Sequence, residues 1–119
     1  MYTTQMDAAR QHIITEEMKA VAAYEQMEEA EVCRLVAAGQ VVIPANRHHT
    51  CRKSYGIGSM LKTKINVNLG TSRDCLDLDM EMEKVRHAVQ MGAEAIMDLS
   101  SFGDTQTCLL YKSDAADDL

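Results

Sequence analysis

The 119-residue sequence predicts an α/β fold: a short helical N-terminal region followed by one βαβ unit. Three stretches lead to that reading. In Lys64-Ile65-Asn66-Val67-Asn68-Leu69 the apolar Ile65, Val67 and Leu69 alternate with polar residues, the period of two of a strand. Leu78, Met82, Val85 and Val89 fall at i, i+4, i+7 and i+11, one apolar stripe of a helix. Ala95-Ile96-Met97-Asp98-Leu99-Ser100-Ser101 opens as a short apolar run of buried-strand length. Strand, crossover helix and strand imply parallel pairing with a right-handed crossover.

The elements follow in order. Residues 3–12 form a short helix, with Thr4 as its cap and Asp7 three positions on, an S/T-x-x-D/E start. Thr15 is the next cap. Met18, Val21, Ala22 and Met27 give a loose apolar face, and Val32, Leu35 and Val36 give a further helical turn that Gly39 stops. Glu16, Glu17, Glu25, Glu28, Glu29 and Glu31 read as a solvated face. Val41-Val42-Ile43 is a short strand ended by Pro44, which cannot donate to a ladder, so the strand is terminal or at an edge. Ala45-Asn46-Arg47-His48-His49-Thr50-Cys51 reads as a solvated loop, because adjacent His48 and His49 point apart in most backbones. Tyr55-Gly56-Ile57-Gly58-Ser59 has two glycines but no G-x-G-x-x-G and no leading strand, so it reads as a connector and not a phosphate cradle.

Within the βαβ unit, Gly70-Thr71-Ser72 breaks the first strand, Asp77 caps the helix and Gly92 ends it. From Cys108 onward the chain carries neither period and ends small and acidic, which resembles translated adapter read-through or a disordered terminus. The expected organisation is a helical region with a short strand and loop over 1–60, the βαβ segment over 61–106, and a non-native or disordered tail over 107–119.

Composition narrows the function classes. A hydrophobic fraction of 46% is ordinary for a globular chain, and nine Met residues take up part of the packing that scarce aromatics leave undone. A net charge of −6 argues against a generic nucleic-acid binder, which needs a basic face, but leaves room for one small phosphorylated ligand. No apolar run is long enough for a membrane span and no charged-then-apolar leader is present, which predicts a reduced, cytoplasmic protein. Cys33, Cys51, Cys75 and Cys108 are irregularly spaced, with no C-x-x-C pair, so neither a zinc nor an iron–sulfur signature is expected from them.

In α/β folds, sites collect at the carboxyl ends of strands. Asn68 and Met97 lie near those ends and share one rim. From spacing alone the plainer reading wins at both, because strand-end Asn residues commonly satisfy turns and Met commonly fills cores.

Four stretches in order change that reading: Tyr2-Thr3-Thr4-Gln5-Met6, Val42-Ile43-Pro44-Ala45-Asn46, Thr63-Lys64-Ile65-Asn66-Val67-Asn68-Leu69-Gly70 and Ala95-Ile96-Met97-Asp98-Leu99-Ser100-Ser101. Together they resemble the start of the phosphomethylpyrimidine synthase (ThiC) family of thiamine biosynthesis, over about residues 1–105. The resemblance implies a lyase of the radical S-adenosylmethionine type, which converts 5-aminoimidazole ribonucleotide to 4-amino-5-hydroxymethyl-2-methylpyrimidine phosphate. It implies a (β/α)8 TIM barrel, of which this βαβ unit is the first, incomplete part. It implies that Asn68, in N-x-N-I/L-G, and Met97, in M-D-L-S, contact the ribonucleotide, and that the full-length protein is a homodimer.

The departures are as informative. The family's 4Fe-4S cluster is held by C-x-x-C-x-x-x-x-C, which no Cys here can supply. The ligands for its divalent metal, such as zinc, also lie beyond this stretch. His48 stands where relatives often have Asn. The chain is therefore expected to be an N-terminal fragment of the enzyme, inactive alone, with no catalytic residue or metal ligand of its own. The alternatives are a small non-enzymatic nucleotide-binding module and an interaction fragment.

Overall fold

Side-chain oxygens start three of the four helices in the computed structural model, which describes residues 1–45, 53–74, 76–104 and 106. The structure is mixed α/β, built of short helices and two small sheets. His48, His49, Cys51, Cys75 and the tail of residues 107–119, Cys108 included, lie outside the described residues. The chain divides into two compact units, Met1–Thr63 and Lys64–Leu119.

The first unit opens with α1 (Gln5–Arg10). Thr4 Oγ1 accepts the Asp7 N–H at 3.0 Å, and the Asp7 carboxylate reaches back to the Thr3 N–H at 3.1 Å, one residue before the cap. Thr15 caps α2 (Glu16–Glu25) by accepting the Met18 N–H, and its own hydroxyl donates to Gln5 Oε1 at 2.6 Å. One buried threonine thus satisfies an orphan donor and ties the two helices. α3 (Glu29–Ala37) closes through bonds from Gly39 N to Val36 O and from Gln40 N to Leu35 O, a Schellman arrangement at the predicted stop. Met18, Val21, Ala22, Val32, Leu35 and Val36 are buried in one cluster with Ala8, Ala9 and Val41, and Met27 packs against it. Burying a side chain of this size contributes about 1.5–3 kcal/mol, which is what holds helices this short in place.

Two expectations fail in this unit. Glu25 is not part of a solvated face: it is buried, and its Oε2 accepts the Lys62 N–H at 2.9 Å. The Lys62 ammonium lies 5.1 Å from the Tyr24 ring centre, and Tyr24 meets Tyr55 edge-on at 5.0 Å, so a polar anchor and two aromatics fasten the returning segment to α2. The stretch read as a connector contains a strand: β2 (Ile57–Gly58) pairs antiparallel with β1 (Val41–Val42), with Val42 opposite Ile57. Two residues are too few to show a period, and the partner lies 15 positions back, beyond local pattern reading.

The second unit holds β3 (Asn66–Leu69), α4 (Leu78–Gln90) and β4 (Ala95–Asp98), the predicted βαβ order. β3 and β4 pair in parallel, as the connecting helix requires. Asp77 accepts the Met80 N–H at 3.1 Å to start α4, and Gly92, at φ +86°, ends it with bonds from Gly92 N to Val89 O and Ala93 N to Ala88 O. Burial is deepest at Glu81, Val85 and Ala88, while Leu78, Met82 and Val89 flank that line half-buried. The predicted stripe has the right phase, but its centre runs through a glutamate and an alanine. Glu81 is buried beside Lys84, whose ammonium stands 2.6 Å from Glu81 Oε1.

Candidate functional site

Alternation along β3 and β4 gives their sheet two unlike faces. α4 packs against β3, and on that side Leu69 is buried while Val67, Ile96 and Asp98 are half-buried. The other face carries Asn66, Asn68, Ala95 and Met97, all four exposed. The predicted alternation of Ile65, Val67 and Leu69 therefore runs toward the helix at Val67 and Leu69. Ile65, one residue ahead of β3, is 60% exposed, because no described neighbour covers that end.

The register sets the two predicted site residues side by side. Asn66 lies opposite Ala95, Val67 opposite Ile96, Asn68 opposite Met97 and Leu69 opposite Asp98. Partners across a ladder project to the same face, so the Asn68 amide and the Met97 thioether are neighbours on the open side. β3 supplies a polar row and β4 an apolar one. Asn68 offers two donors and an acceptor, and Met97 a soft apolar wall, a pairing suited to the polar edge and ring face of one small ligand.

Backbone bonds carry the rim past the ends of both strands. Leu99 N donates to Leu69 O at 2.7 Å and Ser101 N to Thr71 O at 3.0 Å, so pairing survives the turn at Gly70. Thr71 N donates to Ser100 Oγ at 3.1 Å, and Thr71 Oγ1 to Phe102 O at 2.8 Å. Asp98 Oδ1 accepts both the N–H and the hydroxyl of Ser100, at 2.9 and 2.5 Å, which folds the chain sharply after β4. A Cβ on Gly70 would lie 2.5 Å from Ser100 N and 2.6 Å from the Leu99 carbonyl carbon. Only glycine lets the two rim segments approach this closely. At the opposite end of the ladder, Glu94 Oε2 accepts the Ile65 N–H at 2.7 Å and fixes where β3 begins.

Sequence reading picked Asn68 and Met97 but passed over Asn66, Thr71, Asp98 and Ser100. Three of these carry a legible signal. N-x-N on a strand puts both amides on one face, and D-x-S places a serine N–H two residues after an aspartate, where an Asx turn takes it. Thr71 gives no such sign, since its partners are on the other rim segment.

The remaining described cysteine stands apart from any such arrangement. Cys33 is buried in α3, and its thiol donates to Ala9 O at 3.6 Å. Among the described residues no three His, Cys, Asp or Glu side chains come together as a metal-binding group. The described residues do not fit an iron–sulfur cluster, which needs several Cys thiolates converging on one point.

Comparison with known proteins gives the rim its context. Residues 4–114 match the radical SAM ThiC family. The phosphomethylpyrimidine synthase of Clostridium acetobutylicum is 59% identical over 105 residues, which cover 88% of this chain and 24% of that protein. The protein of the same name from Clostridioides difficile is also 59% identical, and that from Alkaliphilus oremlandii 60%, each over the same shares. The chain thus spans about a quarter of the length of the curated relatives it matches. With a family match running through both units and both rim strands, the chain belongs to the radical SAM ThiC family.

Proposed function

We propose that this chain forms part of a phosphomethylpyrimidine synthase of thiamine biosynthesis, in which it contributes one wall of the pocket for 5-aminoimidazole ribonucleotide. In this reading the β3–α4–β4 unit is the first βαβ repeat of a (β/α)8 barrel, and residues 1–60 precede the barrel as a helical segment. The exposed face carrying Asn68 and Met97 then turns toward the barrel interior, and the rim beyond β3 and β4 belongs to the carboxyl-end mouth where barrel sites collect. Asn68 hydrogen-bonds the polar edge of the ribonucleotide, and Met97 packs on its ring.

The observation that supports this most directly is the register pairing of Asn68 with Met97 on a face that no described element covers. S-adenosylmethionine and a 4Fe-4S cluster, which the family's radical chemistry requires, are held elsewhere in the whole protein. Cys33 is buried and already donates to a backbone carbonyl, so it is not a cluster ligand in this proposal.

The test uses a full-length protein: the Clostridium acetobutylicum relative with its aligned 105 residues exchanged for those of this chain. Calorimetry on this chimera compares ribonucleotide binding before and after Asn68→Ala. Loss of one neutral hydrogen bond costs about 0.5–1.5 kcal/mol, or about two- to twelvefold in Kd. An unchanged Kd, with normal cluster content, removes Asn68 from the pocket.

A further inference from the structure

The pocket wall contains a second amide that the proposed contact depends on. Asn66 Nδ2 donates to Asn68 Oδ1 at 3.0 Å. The two residues stand on the same face of β3, one pleat repeat apart, with Asn66 toward the amino end. The bond therefore draws the Asn68 oxygen back along the strand. The amide is planar, so its NH2 group turns the other way, toward the rim. Opposite Asn66 in the register is Ala95, whose methyl leaves space on the open face for the Asn66 side chain. Opposite Asn68 is Met97, which offers the amide no competing donor.

We propose that Asn66 is a positioning residue: it fixes the orientation of the Asn68 amide so that Asn68 meets its ligand as a donor, toward an acceptor atom such as a phosphate, hydroxyl or ring-nitrogen lone pair. This rests on the reading of Asn68 as a ribonucleotide contact. Without Asn66 the Asn68 amide rotates between two nearly equivalent orientations, and binding must select one of them.

A double-mutant cycle in the full-length chimera tests this, with 5-aminoimidazole ribonucleotide as the probe and Kd by calorimetry as the readout. Asn66→Ala is expected to weaken binding about three- to tenfold when Asn68 is present, and by less than about twofold in the Asn68→Ala background, because the amide it orients is gone. In turnover, the Asn66→Ala effect falls on KM, with kcat kept. Equal losses in the two backgrounds would mean that Asn66 only supports the strand, and would overturn the inference. So would a change below about twofold from Asn66→Ala where Asn68→Ala alone weakens binding, an outcome that leaves the pocket reading intact. If Asn68→Ala has no effect, the pocket reading fails and this inference falls with it.

Discussion

Gly70→Ala and Gly92→Ala form a matched pair that isolates what holds the rim together. Both glycines have positive φ, +156° and +86°, but their surroundings differ. A Cβ at Gly92 meets nothing within 4 Å, so that substitution carries only backbone strain, about 1–2 kcal/mol for a left-handed residue with a side chain. A Cβ at Gly70 would sit 2.5 Å from Ser100 N, and backbone cannot rotate aside as a flexible side chain can. The rim segments must separate, which strains or breaks the bonds Leu99 N to Leu69 O, Thr71 N to Ser100 Oγ and Ser101 N to Thr71 O. At about 0.5–1.5 kcal/mol each, these sum to about 1.5–4.5 kcal/mol. A third to a half of the middle of that range, about 1–1.5 kcal/mol, passed on to the ligand-bound arrangement, is about five- to twelvefold in affinity. In the full-length chimera, calorimetric titration with the ribonucleotide should show Gly70→Ala weakening binding by about fivefold or more and Gly92→Ala by less than about twofold. Equal effects from the two substitutions would refute the claim that close approach at Gly70 shapes the rim.

Three further outcomes are expected. In the 119-residue chain alone, the amides of Met18, Val21, Leu35 and Val36 should exchange slowly and those of 66–69 and 95–98 quickly, because the first unit buries a core of its own while, among the described residues, β3 and β4 have two open edges and one bare face. Comparable protection of both sets in a monomer would refute this. The same chain, anaerobically reconstituted with iron, sulfide, reductant and S-adenosylmethionine, should yield no 5′-deoxyadenosine above a no-protein control, since the C-x-x-C-x-x-x-x-C motif does not occur in it; product above that control would count against the proposal. The Gln11 amide, and after it the Thr3 N–H, hold the Asp7 carboxyl below its ordinary 3.8, so their contribution to α1 is complete above that value and lost as pH falls through the lowered one. Side-chain NMR of Asp7 should titrate with a midpoint below 3.8, and a midpoint at or above it would remove the effect.

Local signals predicted local structure well. Asp77, Thr4 and Thr15 each announce a helix through a side chain that reaches its own backbone, and the caps sit where the sequence puts them. The alternation around Val67 and Leu69 and the run at 95–98 gave the parallel pair, because a period of two survives even in four residues. What escaped depends on distant partners. Glu25 looks solvated until the Lys62 N–H arrives from 37 residues away. β2 exists only because β1 offers it an edge. Glu81 at the centre of the buried line of α4 contradicts the rule that charges face water, and Lys84 alongside makes the exception tolerable. At the rim, the spacing of Asn68 and Met97 could not show that they share a register position, since that follows from how far α4 carries the chain back.

The ladder that continues past Gly70 divides labour between main chain and side chains. Leu69, Thr71, Leu99 and Ser101 hold the rim through peptide groups that every residue but proline possesses. Asn68 and Met97 stand on that frame as attachments, so under the proposed function exchanging either alters what the wall recognises while the frame keeps its course. Gly70 has no such latitude. Any side chain there meets main-chain atoms of the ladder itself, so the frame is most sensitive at the one position that adds no side chain to it.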